Sequence, residues 1–141
     1  MAQKIGAENL IDFTLLPQEY SPLTLAYIGD AVYEIYMRSR FVAEHNEKPS
    51  SLHRKVSRLV CATAQAKGFE IIKDLLSEEE ERIFKRGRNA KSPTVPKNAD
   101  VLEYRCATGV EALIGYLYIK KEYDRTDFLL CKIFEGICEV Q

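Results

Sequence analysis

The sequence predicts an all-α fold in which residues 1–141 form a single domain. Apolar residues recur at helical spacing along most of the chain, and the alternating β-branched runs that indicate strands are missing. A length of 141 residues suits one domain with a buried core, and 46% hydrophobic with 29% charged residues is typical of a globular protein. Helix caps and prolines then divide the chain into elements.

The first half of the chain contains the signals for two short and two longer helices. Residues 7–16 are predicted as a short helix that stops before a proline. Ser21 followed by a proline is typical of a helix start, and nothing interrupts that helix before about Ala43. Ser50 or Ser51 caps the next helix, which runs toward Gly68 and continues after a bend over residues 69–76.

The second half contains three further helix starts and one loop. Ser77, with a glutamate three residues later, forms a capping box. Residues 85–98 hold two prolines and a glycine, so much of this segment is predicted as loop. Asn98 or Asp100 caps a long apolar helix that runs through residue 119, and a last helix follows Asp127.

The composition excludes several function classes. Twenty Lys and Arg against twenty-one Asp and Glu give a net charge of -1, so nucleic-acid binding would need a local basic patch. Four cysteines and two histidines lack the spacing of zinc ligands. There is no apolar signal core at the start and no run of eighteen apolar residues, so we expect a cytoplasmic protein without a membrane segment.

Two isolated acids indicate a chemical site. Asp30 and Glu111 each stand alone in an apolar stretch, with Gly29 or Gly109 just before them. A buried charge is costly unless it is paired, hydrogen-bonded or bound to a metal. Two helices that cross at these glycines would bring the acids together. The alternative is that each acid is satisfied separately by an arginine or by tyrosine hydroxyls, for which Tyr27, Tyr33, Tyr104 and Tyr116 are available.

A converging pair of carboxylates would suit Mg²⁺, with Mn²⁺ as a substitute. Mg²⁺ takes one or two carboxylates, keeps several waters and binds substrate phosphates. Thr108 lies one turn before Glu111, where its hydroxyl could hold a water of the ion. Glu34 lies one turn after Asp30 and is a further ligand, a residue that orients one, or a solvated charge.

Two basic clusters are candidate RNA-binding surfaces. The segment from residue 85 to 97 carries five basic residues and no acid, and the second cluster lies on a predicted helix. Phosphates are the natural partners of such groups, although a solvated basic turn is the alternative. The RNA-binding candidates are Arg86, Arg88, Asn89, Lys91, Lys97, His53 and Lys55.

Two motifs resemble those of the ribonuclease III family. Residues 25–31, Leu-Ala-Tyr-Ile-Gly-Asp-Ala, resemble its signature, and residues 110–115, Val-Glu-Ala-Leu-Ile-Gly, resemble its closing motif. Family members usually carry further acids at the positions of Leu23, Ala26 and Thr108. These departures, with the basic segment described above, resemble the stand-alone Mini-ribonuclease III branch, so no double-stranded-RNA-binding domain is expected.

The resemblance implies a homodimeric, Mg²⁺-dependent endonuclease that cuts both strands of duplex RNA and leaves 5′-phosphate and 3′-hydroxyl ends. It further implies a role in trimming precursor 23S ribosomal RNA, with Asp30 and Glu111 as catalytic metal ligands. Loss of the other acids leaves open a catalytically inactive scaffold that binds RNA or ribosomes. A helical nucleotide pyrophosphohydrolase is a third alternative, which the glutamates of residues 78–81 suggest.

Overall fold

The predicted all-α fold is confirmed by the computed structural model, which describes residues 11–91, 95, 97 and 100–140. The described residues form six α-helices and two 3₁₀ turns, at Pro17–Glu19 and Lys73–Leu75, with no strand among them. The helices are α1 Pro22–Glu44, α2 Pro49–Val60, α3 Ala62–Ile72, α4 Glu78–Asn89, α5 Val101–Ile119 and α6 Tyr123–Val140.

Helix α5 is the centre of the fold, because it is apolar on nearly every side. A helix of this kind has to be surrounded by other elements. Helices α1, α3, α4 and α6 all pack against it. Its buried residues are Ala107, Gly109, Val110, Ala112, Leu113, Ile114, Gly115, Tyr116, Leu117 and Ile119. None of the helices in the described ranges combines the length and apolar character needed to cross a bilayer.

Three helix starts follow the capping signals of the sequence. The Ser21 side chain accepts a hydrogen bond from the Thr24 amide at the start of α1. Ser77 and Glu80 form the capping box of α4. The Asp100 carboxylate accepts from two amides of the first turn of α5, at 2.9 and 3.2 Å. These side chains satisfy amides that have no partner within their own helix.

Five local predictions are wrong. Residues 11–16 are not helical, and the rest of the predicted 7–16 helix lies outside the described residues. Helix α2 begins at Pro49, after Lys48, so neither Ser50 nor Ser51 is its cap. The long helix predicted next is two helices, because extended backbone at Cys61 (ψ 161°) ends α2 and starts α3.

The other two corrections concern α4 and α6. Helix α4 continues to Asn89, so Arg86, Gly87 and Arg88 are helical rather than part of a loop. Gly87 is tolerated there because it packs closely on α5, where an added Cβ atom would lie 2.7 Å from the Ala112 Cβ. Helix α6 begins at Tyr123, one turn earlier than predicted.

Candidate active site

Asp30 and Glu111, which are distant in the sequence, meet where α1 crosses α5. Gly29 permits this crossing, since a Cβ atom added to it would lie 1.7 Å from the Glu111 carbonyl oxygen. One turn along α5, a Cβ atom on Gly115 would lie 1.9 Å from the Leu25 carbonyl oxygen. The two backbones are therefore in contact at both glycines, and only glycine fits at either position.

The crossing differs in one respect from the prediction, which paired Gly29 with Gly109. Gly109 faces α4, where an added Cβ atom would lie 2.7 Å from the Phe84 ring. Gly109 therefore sets how closely α4 approaches α5. The role predicted for Gly109, which is to pair with Gly29 at the crossing of α1 and α5, belongs to Gly115. The reason is helical geometry: Gly115 lies one turn after Glu111, on the side of α5 that faces α1.

The carboxyl groups of Asp30 and Glu111 lie within hydrogen-bonding reach of each other. A hydrogen bond between two carboxyl groups requires that the pair hold a proton. Burial, followed by the hydrogen bond and the charge of Asp30, raises the pKa of Glu111 from 4.5 to about 8. Two acids in this arrangement repel each other once both are ionised, and a divalent cation between them removes that repulsion.

The donor set fits a small, hard cation. Both groups offer only oxygen atoms, and no third His, Cys, Asp or Glu joins them in a cluster in the part of the chain that the structure describes. Asp30 is exposed and Glu111 is half-buried, so one side of the pair is open to an incoming phosphate. Mg²⁺ suits such a site because it uses few carboxylates and keeps its remaining positions for water and phosphate oxygens.

Two of the tyrosines that could have satisfied the acids bind elsewhere. The Tyr33 hydroxyl donates to the Leu59 carbonyl oxygen at 2.9 Å, and the Tyr116 hydroxyl donates to Glu79. Tyr27 projects into solvent and is 85% exposed. These three tyrosines are therefore not the groups that satisfy Asp30 and Glu111.

Sequence reasoning missed one residue of this site, Gln65 of α3. Its side chain is buried and lies near Glu111, whose pKa it lowers. The sequence did contain a signal for it. Gln65, Gly68 and Ile72 lie on one face of α3, and Gln65 is the polar residue among them. A polar residue on such a face is the exception that indicates a function.

Glu34 and Thr108, the two candidates for supporting roles, make local contacts. Glu34 forms an ion pair with Arg38 one turn along α1, at 3.2 Å between Oε2 and Nη2. The Thr108 hydroxyl donates to the Tyr104 carbonyl oxygen at 3.0 Å. Thr108 also lines a cavity beside Gly87 of α4, and its role in holding a water of the ion stays a prediction.

The basic candidates on and after α4 have different environments. The Arg86 guanidinium donates to the carbonyl oxygens of Gln18 and Tyr20, each at 3.1 Å, and so holds the segment before α1. These bonds use two of the five N–H donors of the guanidinium, and its role in RNA binding stays a prediction. Arg88 donates from Nε to the Asn89 side chain at 3.3 Å and has its outer nitrogens free of any described bond.

The remaining basic candidates lie at the surface. Lys91 and Lys97 are exposed, whereas residues 92–94, 96 and 98 of the predicted loop lie outside the described residues. On α2, His53 is exposed and Lys55 forms an ion pair with Glu47. Their binding roles remain predictions.

The helical fold and the carboxylate pair at the α1–α5 crossing define a protein of the ribonuclease III class. The model of the Ribonuclease III domain matches residues 23–122, which include both acids. A crystal structure of protein FN1578 from Fusobacterium nucleatum has a TM-score of 0.76 and 32% identity, covering 84% of this chain and 95% of that one.

Curated relatives place the chain more narrowly. Mini-ribonuclease 3 of Thermoanaerobacter sp. (strain X514) is 52% identical over 110 residues, which are 78% of each chain. Mini-ribonuclease 3 of Enterococcus faecalis is 47% identical, covering 80% of this chain and 87% of its own length. The Staphylococcus aureus protein of the same name is 45% identical, covering 84% and 90%. The chain belongs to the ribonuclease III family and to its Mini-ribonuclease 3 branch.

Proposed function

We propose that the chain is a divalent-metal-dependent endoribonuclease that cleaves double-stranded RNA. The observation that carries the proposal is the direct contact between the Asp30 and Glu111 carboxyl groups in a member of the ribonuclease III family. Asp30 and Glu111 would hold Mg²⁺, or Mn²⁺ in its place. The bound ion supplies activation of water and neutralises charge on the phosphate under attack.

The protein contributes position, charge and shape to this reaction. Glu111 is fixed by its place on the buried helix α5, and Asp30 is fixed by the close helix contact at Gly29. The two carboxylates contribute at most two negative charges at the position of the cation. Their solvent-exposed side is left open to the phosphate. Hydrolysis that breaks the bond to the 3′-oxygen would give 5′-phosphate and 3′-hydroxyl ends.

The RNA would be recognised by its duplex shape and its phosphates. A-form RNA has a major groove too narrow for side chains, so proteins contact its phosphates and 2′-hydroxyls. Near the end of α4, the side chains that would contact phosphates are those of Arg88, Lys91 and Lys97. A second RNA-binding surface on α2 would include His53 and Lys55. Arg86 supports this surface by anchoring the chain below it rather than by touching RNA.

A homodimer would bring two such sites to the two strands of a duplex. Helix α1 supports this proposal, because Leu23, Tyr27 and Ile35 are exposed at intervals of four and eight residues along one face. An exposed apolar face of this kind usually marks an association surface, and most homo-oligomers are two-fold dimers. The apolar face lies directly beside Asp30, so the two sites of a dimer would be near the interface.

The cellular role that fits these properties is maturation of the ends of precursor 23S ribosomal RNA in the cytoplasm. The support is the family resemblance of the chain and of its Mini-ribonuclease 3 relatives. Cleavage of a 23S precursor transcript at paired segments, compared with an unpaired transcript of equal length, tests this assignment.

The proposed activity is tested with a long RNA duplex, with and without Mg²⁺. The wild-type protein should cut the duplex only with the metal, whereas Asp30→Asn should bind RNA in a gel-shift assay without cutting it. Products should accept a 5′ label from kinase only after phosphatase treatment, as 5′-phosphates do. Binding without cutting by the wild-type protein would favour an inactive scaffold, and nucleotide hydrolysis without RNA cleavage would favour a pyrophosphohydrolase.

A further inference from the structure

Gln65 is a buried polar residue that packing does not explain. Its side chain is 2% exposed, and Nε2 has no hydrogen-bond partner in the described part of the chain. Burying an amide without a partner costs roughly 1–3 kcal/mol, and an apolar side chain of similar length would fill the same space. The fold therefore carries a cost at this position that a methionine would avoid.

The local backbone directs this amide toward the site. The chain is extended at Cys61, which ends α2, and α3 then starts with the Gln65 amide nitrogen donating to the Cys61 carbonyl oxygen at 3.0 Å. Gln65 consequently lies in the first turn of α3, a helix that packs along α5. From there its carboxamide lies near the Glu111 carboxyl group, whose pKa it lowers.

We propose that Gln65 is a positioning residue for the metal site, donating from Nε2 to one oxygen of Glu111 so that the other oxygen is aimed at Asp30 and the cation. The inference rests on the proposed function, since it presupposes a metal between the acids. A neutral donor suits this task, because it orients a carboxylate without adding a positive charge that would compete with the ion. Groups that hydrogen-bond to metal ligands typically change metal affinity about 10-fold to 100-fold when removed.

The test is Gln65→Met, which keeps the length of the side chain and removes the donor. Mn²⁺ binding is followed by electron paramagnetic resonance, in the absence of RNA, so the reading does not depend on activity. We expect the Mn²⁺ dissociation constant to rise about 10-fold and the turnover number on duplex RNA to fall similarly, with KM unchanged. The melting temperature should stay the same or rise, because a buried unpaired amide has been removed.

Thr63→Val is the matched control. Thr63 lies on the same helix and donates to Glu103 of α5 at 3.1 Å, so its loss also removes a bond between α3 and α5. It should leave Mn²⁺ affinity unchanged. An unchanged Mn²⁺ constant in Gln65→Met would overturn the inference whatever happens to the melting temperature, and so would an equal rise in Thr63→Val.

The outcomes separate this inference from the proposed function. The proposed metal site itself fails if the wild-type protein does not bind Mn²⁺, or if Asp30→Asn leaves its Mn²⁺ binding intact. If wild type binds Mn²⁺ and Gln65→Met binds it equally well, only the role of Gln65 fails. Should Gln65→Met not fold, Gln65→Asn decides by the same measurements, because the shorter amide falls back from Glu111 and should also weaken Mn²⁺ binding.

Discussion

Replacing Glu111 by glutamine should stabilise the metal-free protein at alkaline pH and hardly affect it at acid pH. Burial and the contact with Asp30 raise the pKa of Glu111 from 4.5 to about 8. Between those values the native state keeps a proton that the unfolded chain has lost, so the free energy of unfolding falls as the pH rises. Below 4.5 both states are protonated and the wild type carries no penalty. Above about 8 both states are ionised and the penalty is complete.

The size of the effect follows from that change in pKa. A rise from 4.5 to about 8 corresponds to an upper bound of ~5 kcal/mol. Water reaches the exposed side of the pair, so we expect roughly 2 kcal/mol in practice. Glutamine keeps the shape of Glu111, and its amide still donates to Asp30. For a domain of this size the gain corresponds to a melting temperature about 6 °C higher.

The assay is thermal unfolding followed by circular dichroism in a chelating buffer, at about pH 5 and about pH 8.5. Glu34→Gln is the control, because it removes an exposed carboxylate one turn from Asp30 that is paired with Arg38. The Glu111→Gln protein should exceed wild type only at the higher pH, and adding Mg²⁺ should stabilise wild type alone. A difference from wild type that is the same at both pH values, or a lower melting temperature at the higher one, would refute this reasoning.

Four further predictions concern the helix crossing, the basic surface, the apolar face of α1 and the catalytic acid. Gly115→Ala should lower stability by about 3 kcal/mol in chemical denaturation, because its Cβ meets backbone, whereas Gly136→Ala, whose Cβ meets the side chain of Ile71, should cost far less. Arg88→Ala should flatten the salt dependence of RNA binding, whereas Arg86→Ala should mainly lower the melting temperature; the opposite pattern would restore Arg86 as an RNA contact. Tyr27→Asp should shift the protein to monomer in analytical ultracentrifugation, and a dimer that persists would exclude this face. Asp30→Asn should slow cleavage at least 100-fold in single-turnover assays while RNA affinity changes little, a loss of about 3 kcal/mol in transition-state stabilisation.

The helices and the pair of acids were accessible from the sequence because their signals are local. Ser21, Ser77 and Asp100 cap helices within three residues of themselves. The acids stood out because a lone carboxylate in an apolar helix needs a partner, and a glycine beside one of them marks a close crossing. The prediction that they converge required only that the two helices touch.

What the sequence did not reveal depends on contacts between distant segments. Arg86 is held by carbonyl oxygens 66 and 68 residues earlier in the chain, and nothing near it indicates that contact. The break at Cys61 has no glycine or proline, so helical periodicity ran across it. The pairing of Gly115 rather than Gly109 with Gly29 depends on which face of α5 turns toward α1, and α5 is apolar on nearly every side.

The small number of acids at this site is consistent with the way the structure holds them. Ala26, one turn before Asp30, is 7% exposed, so an acid there would place a buried charge beside two carboxylates that repel each other when ionised. The hydrogen bond proposed from Gln65 to Glu111 would orient the carboxylate without adding charge, because the amide is neutral. A site of two carboxylates and one amide donor keeps Glu111 oriented with a single proton or cation, and so would need less charge from bound metal than a site with more acids. The number of metal ions held at this site is measured by the Mn²⁺ stoichiometry of the wild-type protein, and we expect one tightly held ion per chain.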